Sequence, residues 1–254
     1  MLQLAYVTFA AEEPQRLAEF WSELLGYEPS PAAGESWQAT DPRGENTSLF
    51  FNRMQKSPTI ELPIHLDVNV PDRKGEVERA LDLGAKLVET KTMELGDVTE
   101  TWTVLRDPEG NGFCVQGPDP RLPHPYIGNV TFSCAEPRRV VAPFWSHALG
   151  WPQEEIGDDF LDMLRAARVD VDREFYAYDA IRNADGTRPR FLFQRREKSR
   201  PESHPIHLDF TTDDREAEID RLTAAGATVV ETKTNESETW TVMRDPESNP
   251  FCVQ

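Results

Sequence analysis

The sequence predicts an α+β protein made of four βαβββ units, arranged as two tandem copies of a paired unit. The first observation is an internal repeat: the segment PIHLD at 63–67 returns at 205–209, and RDPE at 106–109 returns at 244–247. The second observation is the order of patterns in each copy, where strand, helix and further strands occur twice. Self-similarity over about 120 residues is the signature of a duplicated domain.

A proline-rich segment separates the copies. We expect one domain over 1–117, a short stiff linker over 118–126 and a second domain over 127–254. Matching landmarks lie 124 residues apart near the start of the copies and 142 apart later, so the second copy carries 18 extra residues. Most of them fall within 152–189, which we interpret as an insertion.

The first unit begins with a strand near 7–9, followed by a helix from Pro14, a residue that suits the first helical turn. Apolar residues in this helix recur at i, i+3, i+4 and i+7 and give it one buried face: Leu17, Phe20, Trp21 and Leu24. Gly26 suits a left-handed cap at the end of the helix. A strand is predicted at 48–53.

The second unit repeats this order. Residues 64–69 alternate apolar and polar, which indicates a strand with one buried face. Asp72 is placed to cap a helix that ends near Gly84, and three strands are predicted at 86–91, 100–105 and 112–116.

Charge and cysteine content exclude several classes of function. With 27 basic and 45 acidic residues the formal net charge is −18, which disfavours nucleic acid and anionic membrane surfaces as partners. No apolar run reaches membrane-spanning length. Three cysteines without CxxC spacing fit a reducing compartment, so we expect a cytoplasmic protein. Serine-hydrolase, P-loop and dinucleotide motifs do not occur.

The runs FWS at 20–22, IHLD at 64–67 and WTVLRDPEGNGFCV at 102–115 resemble the vicinal oxygen chelate superfamily. That superfamily includes glyoxalase I, the bleomycin-resistance proteins and extradiol dioxygenases, and the nearer match is its glyoxalase-like domain branch. The resemblance covers both copies and implies the paired βαβββ fold. It implies less about the reaction, because this fold carries unrelated chemistries.

Metal-dependent members of that superfamily hold their ion with His and Glu on the first and last strands of the units. At the matching positions this chain has Tyr6 and Asn129 where His is usual, and Cys114 and Cys252 where Glu is expected. The matching histidines are His65 and His207. One imidazole and one thiol per copy fall short of a hard-metal triad, so we predict no cofactor; a bound metal would involve His65 or His207.

The polar strand faces are expected to converge on a cleft in each copy. The candidate ligand-binding residues are Tyr6, His65, Asp67, Trp102, Cys114, Asn129, His207, Asp209, Trp240 and Cys252. Each residue type could instead have a purely structural role. The histidines could be hydrogen-bonded within the protein, the cysteines buried as small apolar residues, and the tryptophans part of the core. Aromatic residues of the insertion are a candidate lid: Phe175, Tyr176 and Tyr178.

The sequence favours a metal-free protein of the bleomycin-resistance type whose cleft binds or sequesters a metabolite or drug. The alternatives are a metal-dependent lyase, isomerase or dioxygenase, and a metal-free enzyme with His65 or His207 as general base. The expected partner is a small molecule, and the chain is expected to be a monomer acting as an internal pseudo-dimer or a homodimer. We further expect the copies to differ, with the second cleft binding the main ligand.

Overall fold

The structure is a computed structural model that describes residues 1–54, 63–95, 98–155, 177–187, 189–196, 205–235 and 238–254, together with 157, 158, 161, 162 and 165. The predicted α+β architecture is confirmed: strands and helices alternate in the expected order and form two mixed sheets. Within the described residues no helix is long and apolar enough to cross a bilayer.

The two units of the first copy are complete. The first consists of β1 (Gln3–Ala11), α1 (Pro14–Leu25), β2 (Glu28–Pro31), β3 (Trp37–Thr40) and β4 (Ser48–Arg53). The second consists of β5 (Ile64–Asn69), α2 (Arg73–Asp82), β6 (Lys86–Leu95), β7 (Val98–Arg106) and β8 (Gly112–Gln116). The predicted helix ends are present: Gly26 has a left-handed φ of 68°, and the Asp72 carboxylate accepts the backbone N–H of Lys74.

The second copy follows the same plan around its insertion. Its first unit contains β9 (Tyr126–Cys134), a π-helical turn (Pro137–Val141), α3 (Ala142–Leu149), β10 (Tyr178–Ile181) and β11 (Arg190–Arg195). Its second unit contains β12 (Ile206–Thr211), α4 (Arg215–Ala224), β13 (Thr228–Thr234), β14 (Thr239–Arg244) and β15 (Pro250–Val253).

Each sheet joins units from different copies. One has the order β13-β14-β15-β12-β1-β4-β3-β2, and the other has the order β10-β11-β9-β5-β8-β7-β6. Antiparallel pairing of β1 with β12 and of β5 with β9 makes both central connections. The expectation that each copy forms its own cleft is therefore wrong, because the outer units of the chain share one sheet and the inner units share the other.

Helices α1 and α3 lie between the two sheets. The Trp21 ring packs on Phe9 of one sheet and Phe113 of the other, with centroids 5.6 and 5.0 Å away. Trp145 bridges the sheets in the same way, 5.7 Å from Phe132 and 5.4 Å from Phe210. The faces that turn toward these helices form the core, which leaves the opposite, outer face of each sheet for polar residues.

The repeated Asp-Pro-Glu turn connects units within a copy. Asp107 accepts the indole N–H of Trp21 at 3.4 Å, and Asp245 accepts that of Trp145 at 3.1 Å. Glu109 accepts the backbone N–H groups of Glu12 and Glu13 just before α1. Each copy is thus held together through its helices, whereas the sheets join one copy to the other.

Candidate functional site

Three donor side chains meet on the outer face of the seven-stranded sheet. His65 and Asp67 alternate along β5 with Ile64 and Leu66, whose side chains are buried in the core. Cys114 on β8 lies directly beside Asp67 in the parallel register. The donor atoms of His65, Asp67 and Cys114, here called the His65 cluster, all lie within 4.8 Å of one another.

The eight-stranded sheet repeats this arrangement. His207 and Asp209 on β12 and Cys252 on β15 form the His207 cluster, whose donor atoms also lie within 4.8 Å of one another. The alternation predicted from the sequence therefore brings His, Asp and Cys together on the expected face of both sheets.

Residues of the other copy complete each cluster. Asp67 Oδ2 accepts hydrogen bonds from Asn129 Nδ2 at 2.9 Å and from Thr131 Oγ1 at 2.7 Å, both on β9. Asp209 Oδ2 accepts one from Thr8 Oγ1 on β1 at 2.5 Å. Each carboxylate is therefore held by the first strand of the other copy.

The exchange of strands changes the expected grouping of residues. In the register of β1 with β12, Tyr6 lies opposite Asp209, and in that of β9 with β5, Asn129 lies opposite Asp67. Grouping Tyr6 with His65 was wrong, because a first strand pairs with the unit of the other copy. Thr8 and Thr131 were missed; the repeated tripeptide Val-Thr-Phe at 7–9 and 130–132 was the available signal.

The imidazole of each cluster faces its buried carboxylate. His65 Nε2 lies 3.5 Å from Asp67 Oδ1, and His207 Nε2 lies 3.4 Å from Asp209 Oδ1. A carboxylate oxygen accepts hydrogen bonds, so Nε2 is the donor of each pair, and in that tautomer Nδ1 is the acceptor nitrogen of the ring. This arrangement gives each histidine a defined orientation and one nitrogen available to a ligand.

Burial, neighbouring charges and hydrogen bonds shift the pKa values of several of these groups. It lowers the pKa of His65, against the opposing charge of Asp67. It raises the pKa of Cys114 and of Cys252, and the neighbouring Asp67 or Asp209 raises it further, so both are neutral thiols at pH 7. For Asp209 burial acts to raise the pKa, but His207, Thr8 and Cys252 together hold it below its ordinary value.

Trp102 and Trp240 lie on the same outer faces as the clusters. Val104 pairs with Cys114, and two residues earlier on β7 Trp102 pairs with Gln116, so side-chain alternation keeps Trp102 on this face. Val242 and Cys252 make the equivalent pair beside Trp240. Both tryptophans are half-buried, which places an aromatic surface beside each cluster.

The strands on the other side of the clusters differ. Tyr6 and Phe50, on neighbouring strands, have ring centroids 5.5 Å apart. On the seven-stranded sheet, Asn129 accepts a hydrogen bond of 3.4 Å from Arg190, which also forms a 2.8 Å ion pair with Glu154. One site therefore has an aromatic pair where the other has an amide and an ion pair.

The described strand at the end of the insertion belongs to the sheet of the His65 cluster. Tyr178 begins β10, the edge strand of the seven-stranded sheet, and is 43% exposed. Phe175 and Tyr176 lie outside the described residues, so the predicted aromatic lid stays a prediction. Of the insertion, the strand β10 lies in a different sheet from β12, which carries His207.

Each cluster has the donor types of a zinc site. An imidazole nitrogen, a carboxylate and a thiol within 4.8 Å are three ligands of the kinds that zinc takes, and they differ from the hard-metal triad of His and Glu. The sequence argument counted two donors and overlooked the aspartate. His65, Asp67 and Cys114 would hold such an ion, which would supply a Lewis acid.

The described architecture is that of the vicinal oxygen chelate fold. Glyoxalase I from Zea mays is similar with a TM-score of 0.69 and 12% identity, over 100% of this chain and 92% of that one. A putative dioxygenase from Bacillus subtilis is similar with a TM-score of 0.61 and 12% identity, over 98% of this chain and 84% of that one. Likeness at this identity establishes the fold.

The family is established by sequence. The profile of the glyoxalase-like domain matches residues 6–116 and again residues 129–254. The chain is therefore a member of the glyoxalase-like domain family, within the vicinal oxygen chelate superfamily, with two tandem copies. No curated protein matches it.

Proposed function

We propose that the chain is a metal-free small-molecule-binding protein with one binding site on the outer face of each sheet. The carrying observation is the orientation of His65 and His207. Each imidazole is partly exposed, at 16% and 23%, and is anchored to a carboxylate that is 3% and 10% exposed. A fixed polar group beside a tryptophan is the usual composition of a ligand pocket.

Hydrogen bonds within the protein support the metal-free state. Asp67 is partnered by Asn129, Thr131 and the facing His65, so this buried carboxylate has hydrogen-bond donors around it without an ion. The three cysteines are buried and unpaired, which supports the expected cytoplasmic location. The proposed partner remains a small molecule, and the chain as a monomeric pseudo-dimer or a homodimer remains part of this proposal.

A fragment library screened by ligand-detected NMR tests the binding function. Fragments that bind the parent protein should lose binding to His65→Ala or His207→Ala, because each substitution removes the exposed nitrogen of one site. His147→Ala is the matched control, since His147 is exposed on α3, away from both outer faces. Fragment binding unchanged in both site variants would contradict the proposal.

Metal-dependent catalysis is the second candidate, supported by the three donors of each cluster. Elemental analysis of protein purified without chelator should find well under one equivalent of zinc, iron, nickel or manganese per chain. Near-stoichiometric metal that is lost in His65→Ala or Cys114→Ala would favour the metal-dependent reading instead.

General-base catalysis without metal is supported by the facing His and Asp of each cluster, since the carboxylate orients the ring and leaves Nδ1 as a proton acceptor. It predicts that a bound fragment with an acidic C–H exchanges that hydrogen for deuterium in D2O. The exchange should disappear in His65→Gln or His207→Gln if the reaction occurs there.

A further inference from the structure

The aromatic residues of the outer faces are distributed unequally. Thr8, the donor to Asp209, pairs with Phe50 in the parallel register of β1 and β4, so Phe50 lies on the same face as the His207 cluster. Tyr6 lies on that face two residues earlier, with its ring 5.5 Å from that of Phe50. Both rings are half-buried, so each keeps apolar surface that a ligand would cover.

Trp240 stands on the other side of the same cluster. The sheet order places β15 and β12 between β14 and β1, which are therefore three strand spacings apart, or about 14 Å between backbones. The β14 residue level with Cys252, Asp209 and Tyr6 is Val242. Trp240 lies two residues before Val242 on the same face, so it stands at the edge of the cluster, diagonally across from Tyr6.

The seven-stranded sheet has different residues at the matching positions. Asn129 takes the place of Tyr6, and Leu192 takes that of Phe50, because Thr131 pairs with Leu192 as Thr8 pairs with Phe50. Asn129 is engaged with Asp67 and Arg190. The His65 cluster therefore has an amide and an aliphatic side chain beside it at the two positions where the His207 cluster has aromatic rings.

We propose that the site of the His207 cluster selects planar aromatic molecules with a polar substituent, stacked on the Tyr6–Phe50 pair with the substituent at His207. The site of the His65 cluster lacks this selectivity. Ring contacts favour offset or edge-to-face stacking, and the imidazole supplies the polar contact. The inference rests on the proposed function and names the ligand class of one of its two sites.

The test is calorimetric titration of the full chain with 2-naphthol, a planar aromatic molecule with one hydroxyl. We expect one dominant site. Tyr6→Asn and Phe50→Leu, which install the residues of the other sheet, should each weaken binding about three- to ten-fold. The control His147→Ala, on the exposed face of α3 away from both sites, should leave the affinity of this dominant site unchanged. Circular dichroism of each variant checks that the fold is retained.

Two results would overturn the inference. One is 2-naphthol binding that Tyr6→Asn and Phe50→Leu both leave unchanged. The other is failure of 2-naphthol to bind while non-aromatic fragments bind in a His207-dependent way. The second result would leave the proposed binding function intact, whereas loss of all His65- and His207-dependent binding would contradict that function itself.

Discussion

The His65 and His207 clusters have nearly the same internal geometry, with imidazole–carboxylate distances of 3.5 and 3.4 Å, but their surroundings differ. Asp67 accepts two hydrogen bonds from the other copy, through Asn129 and Thr131, whereas Asp209 accepts one, from Thr8. The Asp67 side chain is also less exposed, 3% against 10%. The His, Asp and Cys of the site are thus the same in both copies. The two sites differ in the strand that the other copy contributes.

This comparison shows why the first strands matter most for divergence. Tyr6 and Asn129 occupy the same position of the repeat but serve different sheets. A substitution on β1 changes the site of the His207 cluster and leaves the His65 cluster unaltered. The two sites can therefore change independently although the copies are similar.

The largest expected effect is on stability. Asp67→Ala leaves the Asn129 amide and the Thr131 hydroxyl without their acceptor, and should lower the free energy of unfolding by about 3 kcal/mol. Asp209→Ala removes the partner of one such donor and should cost about 2 kcal/mol. Urea denaturation measures both. A larger loss for Asp209→Ala would contradict the ranking.

Removal of the donor hydroxyls should reverse this order. Thr8→Val takes away the hydroxyl donor to Asp209 and should cost about 2 kcal/mol, because the bond is to a charged group. Thr131→Val should cost about 1 kcal/mol, since Asn129 still binds Asp67. Equal losses from the two variants in urea denaturation would show that Asn129 does not compensate.

The smallest expected effect is on pH dependence. Burial lowers the pKa of His65 in the folded protein. Below the ordinary histidine pKa of about 6.5, His65 is therefore protonated in the unfolded chain before it is protonated in the folded chain. This contribution to stability is present above that pH and is lost as the pH falls. His65→Gln should lose less stability than the parent between about pH 7 and 5.

The pKa of Asp209 predicts a lower window. Burial tends to raise this pKa, but His207 and the hydrogen bonds lower it below the ordinary value. The resulting stabilisation is present above about pH 4 and is lost as the pH falls further. Asp209→Asn should therefore reduce the pH dependence of the free energy of unfolding only below about pH 4. Flattening between pH 7 and 5 in this variant would show that the assignment to Asp209 is incorrect.

The sequence was sufficient for the fold and for the faces of the strands. Strict alternation in β5 and β12 placed His65 with Asp67 and His207 with Asp209, and the turn and FCV strand identified the superfamily. Alternation determines the face on which a residue lies, but it does not say which unit lies beside its strand. The exchange of β1 and β9 between copies, and hence the roles of Thr8 and Thr131, required the sheet order.

A pair of double-mutant cycles tests the shared construction of the sites most directly. Thr8→Val combined with Asp209→Ala should show a coupling free energy of about 1–2 kcal/mol, because the two residues share a hydrogen bond. Thr8→Val combined with Asp67→Ala should be additive within about 0.5 kcal/mol. The reverse pattern, coupling of Thr8 to Asp67 and additivity with Asp209, would mean that each copy builds its own site.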